Sequence, residues 1–172
     1  CRPMIVVFDL DGTLVDSTQA LLGAHDAAWA SLGLERPTDE AILELIGLPL
    51  VHTMRTLGPD HDAEALAEAY SIAYVEIAPR CERLFDGMAE LLARPFRAAV
   101  ATGKSQRGAD RVVHQFGLDG RFEIVLGGDS VPRPKPNPDM LHAIIKATGT
   151  DELIMIGDTT YDLEMAHAAG VK

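Results

Sequence analysis

The sequence predicts an α/β protein, a parallel sheet covered by helices and interrupted near its start by an all-helical insertion. Short apolar runs at 4–8, 98–101, 124–126 and 153–156 alternate with stretches of helical periodicity. Parallel strands need long crossovers, usually helical and right-handed, so this alternation places helices on the faces of one sheet. The stretch 16–85 breaks the pattern, with no strand-like run and apolar residues at helical spacing. Charge divides at the same boundary: 12 acids and 4 bases lie between Asp16 and Arg83, against 14 and 11 in the remainder. The expected organisation is a discontinuous α/β core over 1–15 and 86–172, with a small helical domain over 16–85 joined by short hinges near Asp16 and Asp86.

The elements follow in order. Met4 to Phe8 is an unbroken apolar run rich in valine, the pattern of a strand buried on both faces. In the insertion, Leu21, Leu22, His25, Ala28, Trp29 and Leu32 share helical spacing. Thr38 can cap a short helix through Leu45, and Leu66, Ala67, Tyr70, Tyr74 and Ile77 form a further stripe. After the second strand, Ser105 to Phe116 carries Val112, Val113 and Phe116 on one side. Pro138 to Thr148 opens with proline in its first turn and turns Leu141, Ile144 and Ile145 inward. The stretch Leu91 to Phe96 is a tight connection into the second strand.

Composition excludes several functions. With 172 residues, 47% of them hydrophobic and 24% charged, the chain can bury a sizeable core and is not a disordered tail. A net charge of -11 with no basic stripe disfavours nucleic acid. No apolar run approaches the roughly 18 residues that span a bilayer, and no signal peptide is recognisable at the start, so a cytoplasmic protein without a membrane partner is expected. Cys1 and Cys81 form no CxxC pair and read as inert thiols.

The chemistry sits where open parallel sheets place their ligands, just beyond the carboxyl ends of the strands. There the sequence has Asp9-Leu10-Asp11-Gly12-Thr13, then Thr102-Gly103-Lys104, then a loop containing Lys135, then Gly157-Asp158 with Asp162 following. An oxygen-only carboxylate cluster suits a hard cation such as Mg²⁺, and the lysine and hydroxyl suit phosphate. Asp11 lies two residues beyond Asp9, which in an extended stretch puts both side chains on one face. Gly12 permits a sharp exit and a close backbone approach. Lys104 reads equally as a solvated helix-start residue and as a phosphate contact. The histidines lack ligand spacing, and His25, His142 and His167 are expected on helix surfaces, as are His52 and Arg55.

These four motifs, in this order, resemble the haloacid dehalogenase superfamily of aspartate-nucleophile phosphatases, in its phosphoglycolate phosphatase-like branch. Asp9-x-Asp11-Gly12-Thr13 matches the first motif, Thr102 the second, Lys135 in Arg133-Pro134-Lys135-Pro136 the third, and Gly157-Asp158-x-x-x-Asp162 the fourth. The resemblance implies a Rossmann-like core with the insertion as a helical cap. It also implies a Mg²⁺-dependent phosphatase acting on a small phosphorylated metabolite, phosphoglycolate or similar, through an aspartyl-phosphate. Asp9 is then the nucleophile, Asp11 the acid and base, and Thr102 and Lys135 the groups on the phosphoryl oxygens. Gly12 and Gly103 meet substrate by backbone. The metal falls to Asp9, the backbone carbonyl of Asp11, and Asp158, with Asp162 holding a metal water or Lys135.

Other readings are weighed against this one. A phosphomutase of the β-phosphoglucomutase type shares the same nucleophile and acid/base pair. Ala98-x-x-x-x-Gly103-Lys104-Ser105 fits a relaxed phosphate-loop pattern of NTP-binding proteins, but its first four residues are strand, leaving Gly103 alone to build a phosphate nest. A non-catalytic phospho-acceptor domain also clusters aspartates, a hydroxyl and a lysine, yet has no use for Asp11 or a helical insertion. The resembled family continues past its fourth motif with another strand and helix, whereas this sequence stops at Lys172. Residues 153–156 are therefore expected to form an open edge with unpaired backbone groups, prone to association. Cys1 ahead of Met4 points to a start that is not native.

Overall fold

The structure, a computed structural model, describes residues 4–172; Cys1 lies outside the described residues. Its main sheet has four parallel strands, β1 (Ile5–Phe8), β4 (Arg97–Ala101), β5 (Val125–Leu126) and β6 (Leu153–Ile156), in the order β5-β4-β1-β6. β1 is central, with Phe8 level with Val100 on one side and Ile156 on the other, so its end and theirs meet at one rim.

Alternation along the strands sends side chains to two separate cores. Ile5, Val7, Ala99, Ala101, Leu153 and Met155 face α7 (Asp139–Thr148) and α8 (Thr160–Ala168), packing on Met140, Leu141, Ile144 and Met165. Phe8, Ala98 and Val100 face the other way, onto Leu92 of α5 (Met88–Leu92) and Ala109 and Val112 of α6 (Gln106–Gln115). Burial on both faces is why these strands read as continuous apolar runs. Each aliphatic side chain buried this fully contributes about 1.5–3 kcal/mol.

Between the first strand and α5 lie α1 (Thr18–Ser31), α2 (Asp39–Leu43), α3 (Leu50–Leu57) and α4 (Ala63–Cys81), and α1, α3 and α4 share a third core of their own. Ala20, Ala24 and Ala28 on α1 recur every fourth residue and meet Ala63, Ala67 and Ala78 of α4, with Trp29, Met54 and Leu66 filling the centre. Thr38 accepts a hydrogen bond from the Ala41 amide and starts α2. The stretch is not wholly helical. β2 (Val15–Asp16) and β3 (Arg83–Leu84) form a two-residue antiparallel ladder where the chain enters and leaves it, pinned by Arg83 on Asp16 at 2.7 Å. Runs of two residues are too short for periodicity to reveal.

The open-edge expectation holds in the strand order and needs correction at one amide. β6 ends the strand order among the described residues, but its Met155 amide donates to the Lys172 carbonyl at 2.7 Å. The turn after α8 brings Lys172 back along the outer side of the strand, and Gly170, at φ +69, makes that turn possible. Among the described residues no helix is long and apolar enough to cross a membrane.

Candidate active site

The carboxyl end of β1 supplies Asp9 and Asp11. The Asp9 amide is tied to the Ile156 carbonyl at 3.0 Å, continuing the β1–β6 ladder. Its side-chain Oδ1 accepts from the Leu10 amide at 2.7 Å. The chain then turns sharply, with the amides of Thr13, Leu14 and Val15 all converging on the Leu10 carbonyl. Gly12 permits this at φ +78, and a Cβ there would overlap the Asp158 carboxylate. Glycine is needed at that position for both reasons. Thr13 turns its hydroxyl onto Asp158 Oδ1 at 3.0 Å, joining the first and last motifs.

Asp9, Asp158 and Asp162 gather carboxylate oxygens within 4.8 Å of one another. Asp162 is already engaged: Oδ1 accepts from Lys135 at 2.5 Å and Oδ2 from the Thr159 amide and hydroxyl. Asp9 and Asp158 are the members with oxygens to spare. Lys135, only 2% exposed, lies with its Nζ 3.1 Å from Asp9 Oδ2. That contact is an ion pair, and Asp9 Oδ2 and Asp11 Oδ1 are both buried without a hydrogen-bond partner. Burial pushes the Asp9 carboxyl up to about 6; Lys135 opposes the shift, and Asp162 and Asp11 add to it. Burial pulls the Lys135 ammonium down, but Asp9 and Asp162 more than offset this and its net shift is up. Asp158, at the open side of the cluster, is also raised, chiefly by the loss of solvent around its carboxylate. Orphaned, crowded carboxylate oxygens of this kind are the donor set a hard divalent cation satisfies, so the residues present fit Mg²⁺.

Thr102, 1% exposed, follows β4 directly. Gly103 packs so closely on the Gly47 backbone that a Cβ would overlap its carbonyl, so this glycine also lets the helical segment approach the sheet. Together Asp9, Asp11, Thr102, Gly103 and Lys104 form the floor of a cavity of about 750 Å³ roofed by α1, α2, α3 and α4. Lys135, Asp158, Asp162 and Gly12 are not among its lining residues; Lys135 and Asp162 lie buried against Asp9.

Two expectations fail around the cavity. Lys104 is not solvated: its ammonium lies 3.2 Å from Asp11 Oδ2 and donates to the Tyr74 hydroxyl at 3.0 Å, at the edge of the cavity it lines. The contact continues across the cavity wall: Tyr74 donates to Glu82 Oε1, and Arg111 holds both Glu82 oxygens at 2.9 Å. Burial, then Asp11, pushes the Tyr74 hydroxyl above its usual range, keeping it a neutral donor. His25 is not on a surface either. It is 3% exposed, packs on Tyr70 with ring centres 4.9 Å apart, and is held down to about 4 by burial and by Arg36. Sequence reasoning placed Tyr74 on the right stripe but gave it no role, and missed Thr13, Glu82 and Arg111. Only Thr13 carried a local signal, its place in the first motif.

The profile of the haloacid dehalogenase-like hydrolases matches residues 6–172 of the chain. Tyrosine-protein kinase PtkA of Mycobacterium tuberculosis is 33% identical over 175 residues, covering 98% of this chain and 60% of that protein. The chain therefore spans about 60% of the length of the first curated relatives it matches. A phosphoglycolate phosphatase of Neisseria meningitidis is 33% identical over 184 residues, covering 96% of this chain and 76% of its own. Among solved structures, a haloacid dehalogenase-like hydrolase from Bacteroides fragilis superposes with a TM-score of 0.89 at 26% identity, over 99% of this chain and 86% of that one.

Proposed function

The chain belongs to the haloacid dehalogenase-like hydrolase family, in the branch that includes phosphoglycolate phosphatases, and from that premise we propose that it is a Mg²⁺-dependent phosphatase. Its substrate class is the small phosphomonoester, and its intermediate an aspartyl-phosphate on Asp9. The observation that carries the reading is the pairing of Asp9 and Asp11 on one cavity floor, each with a buried carboxylate oxygen that accepts no hydrogen bond, Asp9 with the Lys135 ammonium beside it.

In the first half-reaction an Asp9 oxygen attacks phosphorus in line, the bond to the leaving oxygen breaks, and that oxygen takes a proton from Asp11. In the second, Asp11 takes a proton from water, the water oxygen attacks phosphorus, and the bond to Asp9 breaks, returning phosphate and the free carboxylate. Thr102 donates its hydroxyl to a phosphoryl oxygen and Lys135 offsets negative charge beside Asp9. Asp9 and Asp158, with the Asp11 carbonyl implied by the family resemblance, would hold Mg²⁺, which supplies further neutralisation of phosphoryl charge. Asp162 acts by fixing Lys135. Lys104 holds the Asp11 side chain on the floor.

Phosphate release from a panel of phosphomonoesters, phosphoglycolate among them, tests this with and without Mg²⁺ and with no bisphosphate activator added. Turnover should require Mg²⁺, vanish in Asp9→Asn, and leave quenched labelled phosphate on Asp9. Label on another residue, or full activity in Asp9→Asn, would overturn the assignment.

A further inference from the structure

Resting on the phosphatase reading, we infer that the leaving group is an uncharged, largely apolar alcohol rather than one bearing a carboxylate. The cavity above Asp9 and Asp11 measures about 750 Å³, within the roughly 300–1,000 Å³ typical of sites that enclose drug-sized ligands. Its roof is aliphatic, built from Leu21, Ile42, Leu45, Leu50, Ile72 and Val75.

The buried cations around this space are already neutralised. Lys135 is shared by Asp9 and Asp162, Lys104 is on Asp11, and Arg111 is bound through two hydrogen bonds to Glu82. His25, the other basic group on the wall, stays neutral at pH 7 because burial holds it at about 4. Arg107 also lines the cavity, but it is exposed, as are the lining acids Glu68 and Glu76. The helical segment that forms the roof holds 12 acids and 4 bases. A carboxylate entering here would surrender its hydration with no buried cation to replace it, and would approach a negatively charged roof. A methylene laid on the aliphatic wall gains instead, by up to about fourfold in affinity.

Phenyl phosphate and 4-carboxyphenyl phosphate are the matched probes, since they differ only in the charged group. With Mg²⁺, kcat/KM should favour phenyl phosphate by about tenfold or more, and should rise about threefold to fourfold per methylene from ethyl to butyl phosphate. Ile72, 62% exposed, can be changed without disturbing a core. Ile72→Arg should cut the preference against the carboxylated probe by about tenfold, a change an unspecific loss of activity would not produce. Equal or faster turnover of 4-carboxyphenyl phosphate or phosphoglycolate by the unaltered protein overturns this inference alone, as does an unchanged ratio in Ile72→Arg. No turnover of any probe overturns the phosphatase reading and this inference with it.

Discussion

Replacing Lys135 by methionine isolates the electrostatics of the site from its packing, because methionine refills most of the space of the buried stem. In the intact protein the ammonium lies 3.1 Å from Asp9 Oδ2 and 2.5 Å from Asp162 Oδ1, at 2% exposure. Removing one partner of a buried ion pair costs about 3–5 kcal/mol, since it strands the opposite charge. Here two carboxylates are stranded, and at roughly 2–4 °C per kcal/mol for a chain of this size the melting temperature should fall by roughly 6–20 °C. The loss should depend on pH. Burial already raises Asp9 to about 6, and Lys135 is the neighbour that opposes the shift. Without it the folded Asp9 pKa climbs further above its unfolded value, so the folded variant binds a proton that the unfolded chain does not. Its stability therefore rises as pH falls through that folded pKa. Urea denaturation of metal-free protein at pH 8 and pH 5 measures both effects. The deficit of Lys135→Met should be largest at pH 8 and clearly smaller at pH 5, and adding Asp162→Asn should recover part of it. A penalty below about 1 kcal/mol at pH 8, or one equal at the two pH values, refutes the reasoning.

Four further outcomes are expected. His25 is lowered from 6.5 to about 4 by burial first and Arg36 second, so its contribution is complete above pH 6.5 and lost as pH falls toward 4. The stability difference between the unaltered protein and His25→Asn should shrink by about 3 kcal/mol across that window, and a flat difference would refute it. Asp11→Asn should slow single-turnover phosphorylation by butyl phosphate by about 100-fold or more but spare 4-nitrophenyl phosphate, whose leaving group needs no proton; equal losses would remove Asp11 as the acid. Tyr74→Phe deletes the hydroxyl shared by Lys104 and Glu82; chemical denaturation should show a loss of about 1–3 kcal/mol, and none would mean the hydroxyl is not bonded there. Asp158→Ala should raise the Mg²⁺ concentration for half-maximal activity more steeply than Asp162→Ala, where a loss of about 10–100-fold is expected. An unchanged Mg²⁺ requirement in Asp158→Ala would exclude it as a ligand.

Much of the architecture was written locally. β1, β4 and β6 announced themselves because strands buried on both faces must be apolar throughout, and the helical stripes of α1, α4, α6 and α7 because one face of each is buried. Asp9, Asp11, Thr102 and Asp158 were legible because a parallel sheet aligns the ends of its strands, which turns positions far apart in the chain into one rim. The relay Lys104–Tyr74–Glu82–Arg111 had no such signature. It joins a loop after β4, helix α4 and helix α6, so it exists only because the Gly47 and Gly103 backbones let the helical segment settle closely onto the sheet. His25, by periodicity alone an ordinary helix residue, is buried by packing on Tyr70 of α4, and Lys104 reaches Asp11 across the rim. Likewise Lys172 on Met155 is a pairing between a turn and a strand, invisible to any pattern of period two or 3.6. Residue order thus determined which chemical groups meet at the rim, because backbone periodicity is a local property. Which of those groups remain free for a ligand was decided only by tertiary packing, because neutralising partners come from elements that sequence spacing does not relate.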